Sequence, residues 1–234
     1  MTIEKIKLVG VQLATPVTYV EDDQSTWSTS LVKKPVCHCV YLRMSHLAGN
    51  DQADKKHHGG EDKTLYAFPL EHILYWREKL GRAELPFGGF GENLTVTTVT
   101  EADICIGDRF QLGEAIVEVS QPRLPCWKIG RVWGVHDLGE RMEEAGHSGW
   151  YFRTISEGCF SLADDLVLMD RVQPDWTIKE AFTIITHPLE NKERAAQLLD
   201  VPQAAASMKK SLQEYLDSGV YPDQTPRLYG RFKR

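Results

Sequence analysis

Ser120-Gln121-Pro122-Arg123-Leu124-Pro125-Cys126-Trp127-Lys128 is the stretch on which the reading of this chain turns. It continues a segment, Ala115–Gln121, in which Ala115, Val117 and Val119 alternate with Ile116, Glu118 and Ser120. That period of two predicts a strand with one face more buried than the other. The strand runs into Pro122 and Pro125, which stiffen the backbone and remove two amide donors. Such a turn presents a side chain at the edge of a sheet, and here that side chain is the thiol of Cys126. Arg123 and Lys128 flank it. Positive neighbours favour a thiolate, which is both a nucleophile and a soft metal ligand. The competing reading of Cys126 is a small buried hydrophobe.

Immediately upstream, Leu112-Gly113-Glu114-Ala115 reads as a tight hairpin with Gly113 at positive φ. Lys5–Gln12, Val36–Leu42, Asn93–Thr98, Arg109–Leu112, Trp150–Ser156 and Leu166–Arg171 are further strand candidates, rich in β-branched and aromatic residues between glycines. One helix interrupts them. Pro69 suits its first turn, Leu70, Ile73, Leu74 and Arg77 follow at helical spacing, and Gly81 ends it. After Pro174 the pattern changes. Thr177-Ile178-Lys179-Glu180 is a capping box, and Ile178, Ala181, Phe182 and Ile185 form one stripe. A short helix from about Asn191 to Leu199 follows, then a third marked by Met208, Leu212, Tyr215 and Leu216 and ended near Gly219. Helices this short do not stand alone. The expected fold is therefore mainly β with α: a β domain over 1–172, a small C-terminal three-helix domain over 173–220, and a patternless basic tail over 221–234.

Composition narrows the function classes. With 42% hydrophobic and 26% charged residues, the 234-residue chain closes a core without staples. A net charge of -6 argues against a nucleic-acid polymer as partner. The five cysteines, Cys37, Cys39, Cys105, Cys126 and Cys159, are odd in number and irregular in spacing, which suits a reducing cytoplasm better than a disulfide framework. MTIEKIKLVGVQ has no signal-peptide run, and no stretch reaches the ~20 apolar residues of a membrane span. A cytoplasmic protein with no membrane partner is expected. On a strand, Cys37 and Cys39 share a face that His38 avoids. With no second ligand cluster, core packing is expected of both, as of Cys105 and Cys159.

Two glycine-rich stretches invite ligands. In Lys56-His57-His58-Gly59-Gly60-Glu61-Asp62-Lys63, the glycines let successive N–H groups of Gly59 and Gly60 face one anion. Lys63 would add charge, and His58 would donate to that anion or move a proton. The competing reading is a polar turn before a helix; the spacing does not fit a Walker A loop. In Gly88-Gly89-Phe90-Gly91-Glu92-Asn93-Leu94, Asn93 either bonds a ligand or holds the loop. This stretch lacks the strand-turn-helix setting of a dinucleotide fingerprint. No Gly-x-Ser-x-Gly elbow is present, and Asp22-Asp23 and Asp164-Asp165 read as solvated surface.

Taken in order, His58-Gly59-Gly60…Lys63…Tyr66…Pro69, Phe90-Gly91-Glu92-Asn93-Leu94, Gly107-Asp108-Arg109 and Gln121-Pro122-Arg123…Pro125-Cys126 resemble MOSC domains. The likeness is closest to the YiiM-like branch, whose members continue with Gly149-Trp150 and a C-terminal three-helix segment. It spans about residues 30 to 218; each motif is short, and the ordered set is what is specific. The resemblance implies a β-barrel related to the pyruvate kinase barrel domain. It implies binding of the molybdenum cofactor (molybdopterin), with Cys126 as metal ligand. It also implies reduction of N-hydroxylated bases such as hydroxylaminopurine to amines, a detoxification. The chain departs from relatives in Leu47-Ala48-Gly49-Asn50-Asp51, where they more often read Gly-Asp and Asn50 interposes here.

On that resemblance, the cofactor phosphate would rest on the Gly59 and Gly60 amides, with Lys63, Arg123, Lys128 and Asn93 as further binding residues. His58 would serve in proton transfer. Nothing resembles a flavin, haem or iron–sulfur site, so an external electron-donor protein is implied. Other readings stay open: a cofactor or sulfur carrier without turnover, a thiol enzyme with Cys126 as nucleophile and His58 as base, or phosphate-ligand binding at the Gly-Gly loop alone. Pyridoxal phosphate would be such a ligand, though no lysine is placed for a Schiff base. The helical appendage offers an apolar face for a homodimer.

Overall fold

Seven strands close into a barrel in this computed structural model, which describes residues 3–230. They are β1 (Lys5–Leu13), β2 (Leu65–Pro69), β3 (Leu94–Thr97), β4 (Asp108–Leu112), β5 (Ala115–Pro122), β6 (Trp150–Ser156) and β7 (Leu166–Arg171). Their order is β7-β4-β5-β6-β2-β3-β1, and β1 returns to β7 through Lys5↔Val167 and Ile6↔Leu166. Neighbours are antiparallel except β2 and β3, which run parallel from Ala67↔Leu94 to Pro69↔Val96. Closure leaves these strands no free edge to seek another chain.

The barrel core gathers Leu8, Leu65, Ala67, Phe110, Val117, Val119, Trp150 and Phe152. Strand β2 escapes a period-two reading because Leu65-Tyr66-Ala67-Phe68-Pro69 is buried throughout. Leu65 and Ala67 enter the barrel core, while Tyr66 and Phe68 join a second cluster with Ile73, Trp76, Phe90, Ile129 and Tyr151. That second cluster is the floor under the site. The β4–β5 hairpin closes at Leu112↔Ala115 as expected, with Gly113 at φ 57. A Cβ on Gly113 would sit 2.5 Å from the Cys159 carbonyl oxygen.

The helices are α1 (Lys55–His58), α2 (Leu70–Leu80), α3 (Trp127–Trp133), α4 (Leu138–Glu144), α5 (Ile178–Thr186), α6 (Lys192–Leu199), α7 (Ala206–Ser218) and α8 (Thr225–Tyr229). Pro69 caps α2 and Gly81 ends it in the left-handed region. The buried face of α2 is His72, Ile73 and Trp76; Leu74, expected on the stripe, is 50% exposed. Helices α3 and α4 lie where strands and loops were expected, because Gly130, Gly134 and Gly139 dilute their pattern.

Thr177 caps α5 as its capping box predicts, its hydroxyl accepting from the Glu180 amide at 3.1 Å. The Glu180 carboxylate pairs with Arg194 of α6 at 2.5 Å. Ile178, Ala181, Ala195, Leu198, Met208 and Leu212 pack in the same cluster as the barrel interior, so the helical segment and the barrel share one core. The tail, expected to lack pattern, forms α8, which folds back on α3 and α4. Arg231–Arg234 of that tail, and Met1 and Thr2, lie outside the described residues.

The expected strand Val36–Leu42 is corrected. Lys34 and Pro35 pair with Leu13 and Gln12, whereas Val40–Leu42 pairs with Gly158–Phe160. The chain changes partners between the two ladders, so Cys37 and Cys39 are exposed rather than packed in the core. Cys105 is buried as expected and Cys159 is half-buried. Among the described residues, no helix is long and apolar enough to cross a membrane.

Candidate cofactor cleft

Strand β5 ends against β6 at Pro122↔Trp150, and the chain then turns through Arg123, Leu124 and Pro125 into α3. Cys126 is the N-cap of α3, in extended conformation, and its carbonyl accepts the Ile129 amide at 3.2 Å. The turn is held from behind. Arg227 of α8 donates to the Pro125 carbonyl at 2.7 Å and pairs with Glu143 of α4 at 2.5 Å, while Gly139 packs under the Cys126 carbonyl.

In front of the turn opens a cleft of about 590 Å³, counting its solvent-filled mouth. Cys126, 9% exposed, lines it. So do His58, Lys63, Asn93, Arg123 and Lys128, five more residues singled out from the sequence. Gly59 and Gly60 do not line it: the Gly59 amide donates to the Lys55 carbonyl at 3.2 Å, ending α1. Gly60, at φ 100, instead directs the chain into the turn that carries Lys63.

Arg123 is the most telling of these residues. It is 4% exposed, its guanidinium lies 4.9 Å from the Tyr66 ring centroid, and its Nη1 has no hydrogen-bond partner. Guanidinium stays charged, and a buried donor left unpaired on it is costly. The segment is pinned by its own amide, which donates to the Gly149 carbonyl at 3.3 Å. Tyr66 Oη donates to the Ser148 carbonyl at 2.9 Å. Gly149 must be glycine: its φ is 60, and a Cβ there would lie 2.3 Å from the Ala67 carbonyl oxygen.

The remaining walls divide between charge and ring faces. Tyr66 and Tyr151 lie 5.3 Å apart, and burial pushes both phenols above their ordinary range, so they stay neutral. Lys63 stands 5.8 Å from the Tyr151 centroid, its pKa lowered by burial. Lys128 donates to the Ser28 carbonyl at 2.9 Å, tying α3 to the outlying Val17–Val20/Thr26–Thr29 hairpin. Burial, then the charges of Arg123 and Lys63, hold His58 down at about 3, so its ring is neutral at neutral pH. Asn93 holds the loop: its Nδ2 donates to Gln12 O and Asn50 Oδ1, and its Oδ1 accepts the Tyr66 amide at 3.3 Å.

The sequence reading missed Lys33, Tyr151 and Asp54, all of which line the cleft, and did not give Asn50 a role there. Among the described residues its lining carries four cationic side chains, Lys33, Lys63, Arg123 and Lys128, against the single carboxylate of Asp54. With one thiol and two ring faces beside them, these residues fit a planar, phosphate-bearing group that carries a soft metal.

Comparison with known proteins agrees with this architecture. The MOSC domain family matches residues 54–167. The chain is 38% identical to Protein YiiM of Escherichia coli (strain K12) over 187 residues, covering 79% of this chain and 83% of that protein. The crystal structure of YiiM from Geobacillus stearothermophilus superposes with a TM-score of 0.76 at 33% identity, covering 90% of this chain and 99% of that one. A protein named Reductase from Gibberella moniliformis (strain M3125 / FGSC 7600) is 29% identical over 149 residues, 62% of this chain and 26% of its own length. The chain belongs to the MOSC-domain family, in its YiiM-like branch.

Proposed function

We propose that this protein is an oxidoreductase that holds the molybdenum cofactor in the Cys126 cleft and reduces N-hydroxylated bases to amines. The observation that carries the reading is the buried Arg123 guanidinium, one nitrogen unpartnered, on the same cleft wall as Cys126. The relative named Reductase supports an oxidoreductase role. When bound, the cofactor supplies two-electron redox chemistry at its metal. The overall change is R–NHOH + 2 H⁺ + 2 e⁻ → R–NH₂ + H₂O, with the electrons drawn from an external donor protein.

This chain's residues bind, orient and handle protons. Cys126 Sγ would offer the metal a soft sulfur ligand. Arg123 and Lys63 neutralise a bound phosphate through charge-assisted bonds. Tyr66 and Tyr151 wall the cleft with ring faces and keep water from the buried side. His58, held neutral by burial first and then by the cations around it, stands on the cleft wall as the ring that would relay a proton to the leaving oxygen. Exposed free Cys37 and Cys39 suit a reducing cytoplasm.

The test is turnover of hydroxylaminopurine to aminopurine by protein purified from cells that make the cofactor, with a reduced viologen as donor. Cys126→Ala should lower the rate at least about 100-fold, in keeping with loss of a group that orients the reacting centre. Full activity in that variant would remove the reading.

A further inference from the structure

Lys33 lies on the buried wall of the cleft. It is 6% exposed, while the apolar Val32 beside it is 37% exposed, the reverse of what hydrophobicity alone would arrange. Its Nζ donates to Asn50 Oδ1 at 3.0 Å and to the Ser30 carbonyl at 3.3 Å, two neutral acceptors for a group with three donors. Among the described residues it makes no ion pair. Glu92, the carboxylate that acts on it through space, is spent elsewhere: its oxygens accept the Gly88 amide at 2.5 Å and the Phe90 amide at 3.1 Å.

The arrangement around Lys33 is built. Asn50 Oδ1 accepts from Lys33, from Asn93 Nδ2 at 3.2 Å and from the Ala14 amide at 3.2 Å, so it is fixed from three sides. Gly88, at φ 84, lets the Lys33 backbone pass so close that a Cβ would meet the Lys33 carbonyl oxygen at 2.6 Å. An ammonium withdrawn from water normally carries an ion pair. Here the withdrawn ammonium faces a cleft whose described residues add three more cations and one carboxylate.

We propose that Lys33, aimed by Asn50, is a phosphate anchor of the cleft, acting with Arg123 on a phosphate-class dianion. The inference rests on the proposed function for its site but not on the metal. Burial lowers the Lys33 pKa to about 8, which leaves it largely protonated at neutral pH and responsive to an arriving anion. The dianion is either the phosphate of the bound cofactor or that of a phosphorylated substrate.

The experiment is calorimetric titration of the metal-free protein with inorganic pyrophosphate. Lys33→Met should bind at least about tenfold more weakly, the scale of one charge-assisted hydrogen bond, and should still fold, because replacing a buried charge by an apolar group of similar size is well tolerated. Asn50→Asp, which supplies Lys33 with an internal carboxylate, should weaken binding similarly without lowering the melting temperature. Lys33→Arg should restore part of the affinity. Pyrophosphate affinity unchanged in a folded Lys33→Met protein, or no binding by the wild type, would overturn the anchor. Two arms separate the sources. Lost molybdenum in Lys33→Met assigns the cofactor phosphate; intact molybdenum with a raised KM for a phosphorylated substrate, but not for its free base, assigns the substrate. Cys126→Ala should leave pyrophosphate binding unaltered. Failure of the metal reading and failure of the anchor therefore show in different variants.

Discussion

His147 shows what a single ring contributes. It stacks on His72 at 3.7 Å and on Tyr75 edge-to-face, and its Nδ1 is buried without a partner. Burial first, then His72, hold its pKa down at about 4, against 6.5 for an unperturbed ring. The unfolded chain therefore takes up a proton before the folded one as pH falls. The contribution of His147 is fully present above 6.5 and is lost between about 6.5 and 4. His147→Phe keeps the stack and removes the titration, so its melting temperature should fall less than that of the wild type between pH 7 and pH 5. An equal fall in both would contradict this. At this scale the Pro122-Arg123-Leu124-Pro125-Cys126 turn drew attention to Arg123 and Cys126, and both line the cleft. The sequence did not reveal Lys33, since nothing in Lys33-Lys34 says which ammonium turns inward. It overstated Gly59 and Gly60, whose flexibility serves a helix end and a turn.

Among the elements, α8 has the least conspicuous sequence and a direct hold on the site. Thr225-Pro226-Arg227-Leu228-Tyr229 carries no stripe long enough to read as a helix, yet Arg227 grips the Pro125 carbonyl one residue before Cys126. Tyr229 adds a hydrogen bond to Glu140 and stacks near His136. Supporting contacts of this kind typically change metal affinity about 10-fold or more. Arg227→Met should therefore weaken metal retention by about that factor with little change in far-UV circular dichroism, and metal retention equal to the wild type would show that the turn holds itself. Strand β5 was legible because Glu118 and Ser120 alternate with apolar side chains, although every residue of it but Ile116 is buried. Strand β2 was not, because both its faces are covered and the alternation vanishes. Helices α3 and α4 were hidden by glycines that tight packing requires: a Cβ on Gly130 would lie 2.6 Å from the Val135 carbonyl oxygen.

Across the whole molecule, barrel and helices behave as one body in their packing. Ser120 of β5 accepts the Ala205 amide at 3.1 Å at the start of α7, and Ile178 and Ile184 of α5 enter the barrel's own cluster. A core continuous across both segments should melt as one unit. Scanning calorimetry of the metal-free protein should give a single transition with equal calorimetric and van't Hoff enthalpies, and two resolved transitions would contradict a shared core. The ordered motifs carried the family and the closed barrel. The joining of helices to barrel depends on long-range packing that no local period encodes.

The central claim is that one sulfur atom, on a turn backed by α8 and facing a cationic cleft, retains a metal. Molybdenum per chain, measured on protein from cofactor-making cells, tests it most directly. The account predicts metal in the wild type and its loss in Cys126→Ala, with the melting temperature of the metal-free protein unchanged. Equal molybdenum in both proteins would contradict it.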